Sequence, residues 1–224
     1  MSSILISGAG RGLGFELARQ YAADGWRVIG TVRDAASRGR LEKLGAEGHV
    51  ADVTRREQVA ALGKRLQGTP LDVLFCNAGI IGKRGMTLGS FDYESWEEVL
   101  RVNVLGAAAL AEALVDNVAA SECKVIAMMS SRLGSISESS GETLPYATSK
   151  AALNMLVKGF AVTLAPKAVK VVALSPGWVR TDMGGSGAPL TPETSVKGLR
   201  RVIAGLKSDD SGRFFSHDGS SIPW

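Results

Sequence analysis

The sequence predicts a doubly wound α/β fold, in which a mainly parallel seven-stranded sheet carries helices on both faces. Short runs of β-branched and other apolar residues alternate along the 224 residues with longer segments of helical periodicity, a pattern typical of consecutive βαβ units. The strand-like runs are almost continuously apolar, as expected of strands buried on both faces. No repeat or linker divides the chain, so the sequence predicts one domain over residues 1–224.

The predicted strands and helices alternate along the whole chain. Strands are predicted over 4–6, 28–32, 49–51, 73–76, 125–129, 169–174 and 214–215. Helices are predicted over 13–23, 35–44, 56–66, 96–118, 146–164 and 191–206. In an open α/β sheet the ligand lies beyond the carboxyl ends of the strands. The loops 79–91, 132–144 and 183–189 follow predicted strands, and we therefore expect them to surround a site.

Composition and charge argue against several other classes of protein. The chain is 45% hydrophobic and 21% charged, and its net charge of +4 is scattered rather than clustered, so we expect no nucleic-acid partner. No apolar run approaches the roughly 18 residues of a membrane span, and the glycine motif begins too close to Met1 for a signal peptide. Cys76 and Cys123 lie in apolar runs without metal-ligand spacing. We expect a cytoplasmic protein with buried thiols and no metal.

Three glycines follow the first predicted strand and lead into the first predicted helix. Gly8, Gly12 and Gly14 have the spacing G-x-x-x-G-x-G, which lets the backbone turn sharply and approach a phosphate closely. The helix would direct its free amide groups and the positive end of its dipole at a pyrophosphate. The coenzyme contacts predicted in this loop are Gly8, Gly10, Arg11, Gly12, Leu13 and Gly14.

The end of the second predicted strand favours NADP over NAD. Val32 offers no carboxylate to repel a 2′-phosphate, and Arg33 and Arg11 could clamp one from two sides. Two alternatives stay open. In one, Arg33 pairs with Asp34 or lies in solvent; in the other, Asp34 faces the ribose and admits NADH.

A phenol and an ammonium group lie four residues apart at the start of the helix predicted over 146–164. Tyr146 and Lys150 therefore share one face of that helix. A nearby cation stabilises phenolate and lowers its pKa from the reference value of about 10, so the pair can act as a general acid and base. The spacing is also compatible with simple packing plus a solvated amine.

These motifs occur, with others, in the order found in the short-chain dehydrogenases/reductases, which the sequence resembles from residue 3 to about residue 183. The tail over 212–224 resembles the subgroup that contains C-factor and the sniffer-type carbonyl reductases. The resemblance implies a Rossmann fold. The motifs that carry it are Gly8-x-x-x-Gly12-x-Gly14, Asn77-Ala78-Gly79, Asn103, Ser130-Ser131, Tyr146-x-x-x-Lys150 and the run from Pro176 to Met183.

The resemblance implies four catalytic residues. Tyr146 would donate a proton to the substrate oxygen, and Lys150 would lower the pKa of Tyr146 and bind the nicotinamide ribose. Ser131 would hydrogen-bond the carbonyl oxygen, although the long interval before Tyr146 leaves Ser130 and Ser135 as alternatives. The fourth residue, Asn103, would hold a water that links the lysine to solvent. Its position within a predicted helix also allows bonding to nearby backbone instead.

The resemblance also implies coenzyme contacts beyond the glycine loop. Asp52 would bind the adenine, although an Asp before a helix is usually a cap. The 77–79 segment would line the cleft, although it is equally compatible with a simple turn. The implied contacts are Arg33, Asp52, Val53, Asn77, Ala78, Gly79, Tyr146, Lys150, Pro176, Gly177, Val179 and Thr181.

The sequence thus predicts an NADPH-dependent enzyme that reduces a small-molecule aldehyde or ketone, or oxidises the alcohol, with NADH as an alternative coenzyme. The short loop over 184–189 predicts an open pocket of modest selectivity. The alternative is a dinucleotide-binding signalling or sensor protein. A serine hydrolase is disfavoured, because no G-x-S-x-G motif is present and neither His49 nor His217 has a recognisable place beside Ser131. A homodimer or homotetramer is implied only by the resemblance.

Overall fold

Seven strands form one sheet, and every neighbouring pair is parallel. The computed structural model describes residues 1–224. Its strands are β1 (Ser3–Ile6), β2 (Arg27–Val32), β3 (Glu47–Val50), β4 (Val73–Cys76), β5 (Val125–Met129), β6 (Lys170–Ser175) and β7 (Phe214–Ser216). Their order in the sheet is β3-β2-β1-β4-β5-β6-β7. The chain builds outward from β1 to one edge, returns to β4 beside β1, and builds to the other edge. The predicted doubly wound fold is confirmed.

Helices cover both faces of this sheet. They are α1 (Gly12–Ala23), α2 (Ala35–Glu42), α3 (Arg56–Arg65), α4 (Tyr93–Leu100), α5 (Gly106–Ala119), α6 (Leu144–Thr163) and α7 (Pro192–Ala204). One buried cluster packs α3, α5 and α6 against the sheet. A second packs α1, α2 and α7 against the opposite face. The sheet is therefore buried on both sides, which explains its uninterrupted apolar strands.

The helix predicted over 96–118 begins earlier and is not a continuous α-helix. Asp92 caps its start by accepting a hydrogen bond from the Ser95 amide at 3.0 Å. Between α4 and α5 the backbone forms a π-helical turn over Arg101–Leu105. Such a turn inserts an extra residue into the helix and is frequent at functional sites. Asn103 lies within it, so the prediction of an uninterrupted helix is wrong at this residue.

Two smaller expectations also differ from the structure. The third strand spans Glu47–Val50 rather than 49–51. Cys123 is exposed, whereas Cys76 is buried as expected, because Cys123 belongs to the turn between α5 and β5 rather than to the strand. No helix combines the length and apolar character needed to cross a membrane. No cluster of three or more His, Cys, Asp or Glu side chains is arranged as metal ligands.

Candidate active site

A cavity of about 670 Å³ lies at the carboxyl ends of the strands, centred where β1 and β4 are neighbours. This is the position at which a doubly wound sheet binds a dinucleotide. The predicted coenzyme residues that line it are Gly8, Gly10, Arg11, Gly12, Leu13, Gly14, Arg33, Asp52, Val53, Asn77, Ala78, Gly79, Tyr146, Lys150, Pro176 and Thr181.

Gly177 and Val179 are the predicted coenzyme residues that do not line the cavity. Gly177 has φ +77°, and a Cβ there would lie 2.6 Å from Leu190 Cδ1. Val179 is 4% exposed and bridges to Leu190. Both residues therefore shape the turn after β6 and contact Leu190, and their contact with the coenzyme stays a prediction.

The glycine loop has the backbone geometry that its sequence predicts. Gly8 and Gly12 have φ values of +66° and +54°, in the left-handed region that favours glycine. Gly14 is required by space, because a Cβ there would lie 2.3 Å from the Gly8 carbonyl oxygen. Since α1 begins at Gly12, the unpaired amides of its first turn face the cavity. The loop therefore fits a pyrophosphate.

Ser7 joins the ends of β1 and β4 at the floor of this cavity. Its hydroxyl accepts hydrogen bonds from the amides of Asn77 and Ala78, each at 3.0 Å. In the opposite direction, Asn77 Nδ2 donates to the carbonyls of Ser7 and Gly8 at 2.9 and 3.2 Å. The 77–79 segment is irregular backbone rather than a turn, and it forms part of the cavity wall. Its contact with Ser7 was not predicted.

The adenosine end of the cavity is formed by the residues after β2. Arg33 is exposed and lines the cavity. Asp34 accepts hydrogen bonds from the Ser37 amide and hydroxyl at 2.7 and 2.9 Å, which lower the pKa of its carboxyl group. Asp34 is therefore the cap of α2, and this structure shows no ion pair between it and Arg33. Arg40, which the sequence did not single out, donates to the Gly10 carbonyl at 3.0 Å and to Ser37 Oγ at 2.9 Å.

Arg11 forms an ion pair with the loop after β6. Its Nη1 is 3.0 Å from Asp182 Oδ2, which joins the glycine loop to the loop after β6. The predicted two-sided clamp of Arg11 and Arg33 is therefore not the arrangement of this structure. A second arginine reaches the same loop, because Arg84 donates a hydrogen bond to the Met183 carbonyl.

Asp52 does not cap α3, because the N-cap of that helix is Arg55 and no side chain bonds to its first turn. Its Oδ1 accepts hydrogen bonds from the Thr54 amide and hydroxyl, both at 2.8 Å. Partial burial raises the pKa of this carboxyl, but the bonds from Thr54 and the positive charges of Arg33 and Arg55 together outweigh burial and lower the pKa overall. Asp52 also lines the cavity. An anionic Asp52 therefore stabilises the turn after β3 while facing the site.

Helix α6 carries Tyr146 and Lys150 on one face, with Lys150 Nζ 5.5 Å from the centre of the Tyr146 ring. Lys150 is 2% exposed and donates to the Met129 carbonyl at 2.7 Å. Burial lowers the pKa of Lys150 to about 8. Burial has the opposite effect on Tyr146 and raises the pKa of its phenol to about 12, although a hydrogen bond with Ser131 lowers that pKa. The expectation of a lowered Tyr146 pKa is therefore wrong for this structure, because burial of the phenol outweighs its hydrogen bond with Ser131.

The three serines considered as the hydrogen-bond donor to the substrate carbonyl have different surroundings. Ser130 is 1% exposed and donates its hydroxyl to Asn154 Oδ1 at 2.6 Å. Ser135 is equally buried and bonds within its own loop. Ser131 is partly exposed, and its hydroxyl lowers the pKa of Tyr146 through a side-chain hydrogen bond, whereas Ser130 is the one of the three that lines the cavity. Of the three, Ser131 is the serine placed beside the phenol.

Asn103 links the π-helical turn to the loop after β4 and to α6. Its Oδ1 accepts from the Ile80 amide at 2.8 Å, and its Nδ2 donates to the Ile80 carbonyl and to Ser149 Oγ, both at 2.9 Å. Ser149 in turn donates to the Tyr146 carbonyl at 2.7 Å. The side chain of Asn103 therefore bonds to a distant backbone segment and to Ser149, and not to the nearby backbone that the alternative interpretation named.

A second cavity, of about 460 Å³, adjoins the first at Tyr146, which lines both. It lies between residues 81–88, in one loop expected to surround the site, and residues 141–146, which join the end of a second such loop to the start of α6. Its walls include the apolar side chains of Ile81, Met86 and Leu88. Residues of the first cavity that the sequence did not single out include Thr31, Ser37, Thr54, Ile80, Arg101 and Met129. Thr31 and Met129 lie at the carboxyl ends of β2 and β5, and Thr54 and Ile80 in the loops after β3 and β4, so position at a strand end is the signal that could have identified these four.

Lys150→Met is expected to stabilise the protein at neutral pH while removing the charge beside Tyr146. The pKa of Lys150 falls from 10.5 to about 8 on folding, so the unfolded chain binds more protons between these values and wild-type stability rises with pH there. Below about pH 8, burial of the charged ammonium destabilises the wild type by about 3 kcal/mol at most. The variant avoids this cost but loses the hydrogen bond to Met129, which contributes about 1 kcal/mol. The variant's advantage should therefore be about 1–2 kcal/mol at neutral pH.

Urea unfolding of wild type and Lys150→Met, measured from about pH 6 to about pH 10, checks this expectation. The stability difference should shrink as the pH rises. A difference that does not change with pH would contradict the burial of a charged Lys150. Lys158→Met, on an exposed turn of the same helix, is the control and should show no such trend.

Comparison with known proteins identifies the family. The model of the short chain dehydrogenase family matches residues 2–189. C-signal of Myxococcus xanthus is 40% identical over 156 residues, which are 69% of this chain and 93% of that protein. The 1-hydroxy-2-glutathionyl-2-methyl-3-butene dehydrogenase of Rhodococcus sp. is 33% identical over 235 residues and 100% of both chains.

Two solved structures resemble the whole chain. NADPH-bound carbonyl reductase from chicken fatty liver has a TM-score of 0.90 at 29% identity, covering 100% of this chain and 99% of that one. Carbonyl reductase Sniffer of D. melanogaster has a TM-score of 0.90 at 33% identity and covers 100% of both. The chain belongs to the short-chain dehydrogenase/reductase family of NAD(P)-dependent oxidoreductases, near its C-factor and sniffer-type members.

Proposed function

We propose that the protein reduces the carbonyl group of an aldehyde or ketone with NADPH, with Ser131, Tyr146, Lys150 and Asn103 as its catalytic set. The observation that carries the proposal is the position of Tyr146, which lines both the dinucleotide cavity and the smaller, partly apolar one. A carbonyl carbon at their junction would meet the coenzyme from one side and the phenol from the other.

The residues of the larger cavity fit a dinucleotide. The glycine loop leaves no room for a Cβ at Gly14, and the first turn of α1 presents unpaired amides to a pyrophosphate. Arg33 is the exposed cation at the adenosine end and would hold a 2′-phosphate. When bound, NADPH supplies the hydride for the reaction.

The side chains of α6 account for the proton that reduction needs. With a pKa of about 12, the Tyr146 phenol is protonated at neutral pH and can donate its proton to the oxygen on which negative charge develops. The Ser131 hydroxyl would donate a second hydrogen bond to that oxygen. Lys150, with a pKa of about 8, is mostly protonated at pH 7 and stabilises the tyrosinate left behind.

Asn103 would help to hold α6 in position. Through Ser149 it fixes the turn that carries Tyr146, and through Ile80 it fixes the loop between the two cavities. In the proposed proton path it would also hold a water that connects Lys150 with solvent.

The first experiment measures loss of nicotinamide absorbance when the purified protein receives NADPH, and separately NADH, with a panel of aldehydes, ketones and diketones. Turnover with NADPH supports the proposal. Tight NADPH binding without turnover of any substrate would contradict it. That result would favour a dinucleotide-binding signalling protein, an alternative suggested by the 40% identity to C-signal.

Arg33→Ala is expected to weaken NADPH binding by about 10- to 100-fold, because a charge-assisted hydrogen bond to the 2′-phosphate contributes about 1.5–3 kcal/mol. Binding of NADH, which lacks this phosphate, should hardly change. Fluorescence titration with each coenzyme measures both effects. Arg38→Ala is the matched control, since Arg38 is exposed nearby but pairs with Glu42 at 3.3 Å. Equal losses for both coenzymes would show that the 2′-phosphate is bound elsewhere.

A further inference from the structure

A third polar side chain lies on the face of α6 that carries Tyr146 and Lys150. Asn154 follows Lys150 by four residues, as Lys150 follows Tyr146, so the three lie along one side of the helix. Asn154 is 4% exposed and does not line either cavity. It therefore cannot touch the coenzyme or the substrate directly.

The amide of Asn154 bonds to both sides of the turn that carries Ser131. Its Oδ1 accepts the Ser130 hydroxyl proton at 2.6 Å. Its Nδ2 donates to the Gly134 carbonyl at 3.0 Å. Ser131 lies between these two anchors and caps the short 3₁₀ turn Arg132–Gly134.

The 3₁₀ turn Arg132–Gly134 also packs closely against α6. A Cβ at Gly134 would lie 2.7 Å from Lys150 Cβ and 2.8 Å from the Lys150 carbonyl carbon. Nothing larger than glycine fits between the two segments without movement. Contact with Lys150 sets how closely the turn approaches the helix, and the two bonds to Asn154 set its position along the helix.

An amide side chain meets both demands at once. It accepts a hydrogen bond through its oxygen and donates through its nitrogen, whereas a carboxylate only accepts and an aliphatic side chain does neither. In a buried site an unmatched donor or acceptor is costly, so the turn would move to find other partners.

We propose that Asn154 is a positioning residue that holds the Ser131 hydroxyl at the distance from the Tyr146 phenol that carbonyl reduction requires. The inference rests on the proposed function for its catalytic consequence. A displacement of about 1 Å can reduce a rate by about 100-fold, so losing both bonds should slow turnover without affecting coenzyme binding.

The experiment is a double-mutant cycle between Asn154→Ala and Ser131→Ala. Alone, Asn154→Ala should lower kcat by about 10- to 100-fold, with the affinity for NADPH unchanged. In the Ser131→Ala background the same substitution should have almost no further effect, because residues that act as a unit are not additive. Equal losses in both backgrounds would overturn the proposal, since Asn154 would then not act through Ser131.

The matched control is Asn117→Ala. Asn117 is also a buried asparagine that donates to two carbonyls, those of Leu66 and Thr69, at 2.6 and 2.8 Å, but it lies in α5 away from both cavities. Its replacement should lower stability and leave kcat unchanged. If Asn154→Ala behaved in the same way, its role would be structural only and the proposal would fail.

A spectroscopic readout separates this inference from the proposed function. The protein has 3 tyrosines, so the ring-carbon signal of labelled Tyr146 can be assigned by its loss in Tyr146→Phe. Ser131→Ala and Asn154→Ala should shift this signal in the same direction, and Asn117→Ala should not. If wild type reduced no carbonyl, the proposed function would fail, while this comparison would still decide whether Asn154 positions Ser131.

Ser130→Ala provides the test if Asn154→Ala does not fold. It removes one of the two bonds and leaves the asparagine in place. A smaller loss of kcat that disappears in the Ser131→Ala background would support the proposal. Full activity with an unshifted Tyr146 signal would overturn it.

Discussion

Replacing Tyr146 with phenylalanine should slow carbonyl reduction by about 10²- to 10⁴-fold, the usual contribution of a general acid, and leave NADPH binding nearly intact. The phenol is the group that lines both cavities, and its pKa of about 12 keeps it protonated at neutral pH. Phenylalanine keeps the ring and its packing and removes only the proton that the substrate oxygen needs.

Initial rates with NADPH and the best substrate of the panel, together with NADPH fluorescence titration, measure the two halves of this prediction. Tyr21→Phe is the control. Tyr21 is also buried, and burial also raises its pKa to about 12, but it belongs to α1 and its ring packs against Arg200 of α7. Full turnover by Tyr146→Phe would remove Tyr146 from the mechanism.

Replacing Gly14 with alanine should weaken NADPH binding by about tenfold or more, because overpacking of this kind costs about 1–3 kcal/mol. The new methyl group would lie 2.3 Å from the Gly8 carbonyl oxygen and 2.6 Å from Asn77 Nδ2. Neither neighbour is the free end of a flexible side chain, since Asn77 Nδ2 is bonded to two carbonyls. The start of α1 must therefore move away from the pyrophosphate position.

Gly39→Ala is the matched control for that substitution. Gly39 lies inside α2, and no neighbouring segment comes within 4 Å of the position that a methyl group would occupy there. Alanine at this position should stabilise the protein by about 0.5–1 kcal/mol through its helix propensity and leave coenzyme affinity unchanged. Wild-type affinity in Gly14→Ala would show that the glycine loop does not hold the phosphates.

The parts of the site that the sequence predicted are those whose residues are close along the chain. The glycine loop follows β1 within a few residues, and Tyr146 and Lys150 are one helical turn apart, so spacing alone determines their geometry. The parallel sheet was predictable for a similar reason, because every strand and the helix after it form one local unit.

Contacts between distant segments could not be predicted in this way. Arg11 and Asp182 are 171 residues apart, and nothing in the sequence around Arg11 distinguishes a partner in the loop after β6 from a phosphate. The π-helical turn around Asn103 has no periodicity of its own, because one extra residue shifts the apolar pattern only slightly. The pKa of Lys150 depends on burial by several segments together.

The hydrogen bonds around Ser7 affect the affinity for the coenzyme. Because the Ser7 hydroxyl and the Asn77 amide already hold the ends of β1 and β4 together, the floor of the cleft is rigid before anything enters it. Binding then sacrifices little conformational entropy in that floor, and more of the contact energy appears as affinity. The entropic cost of ordering falls on the arginine-linked loops at the rim.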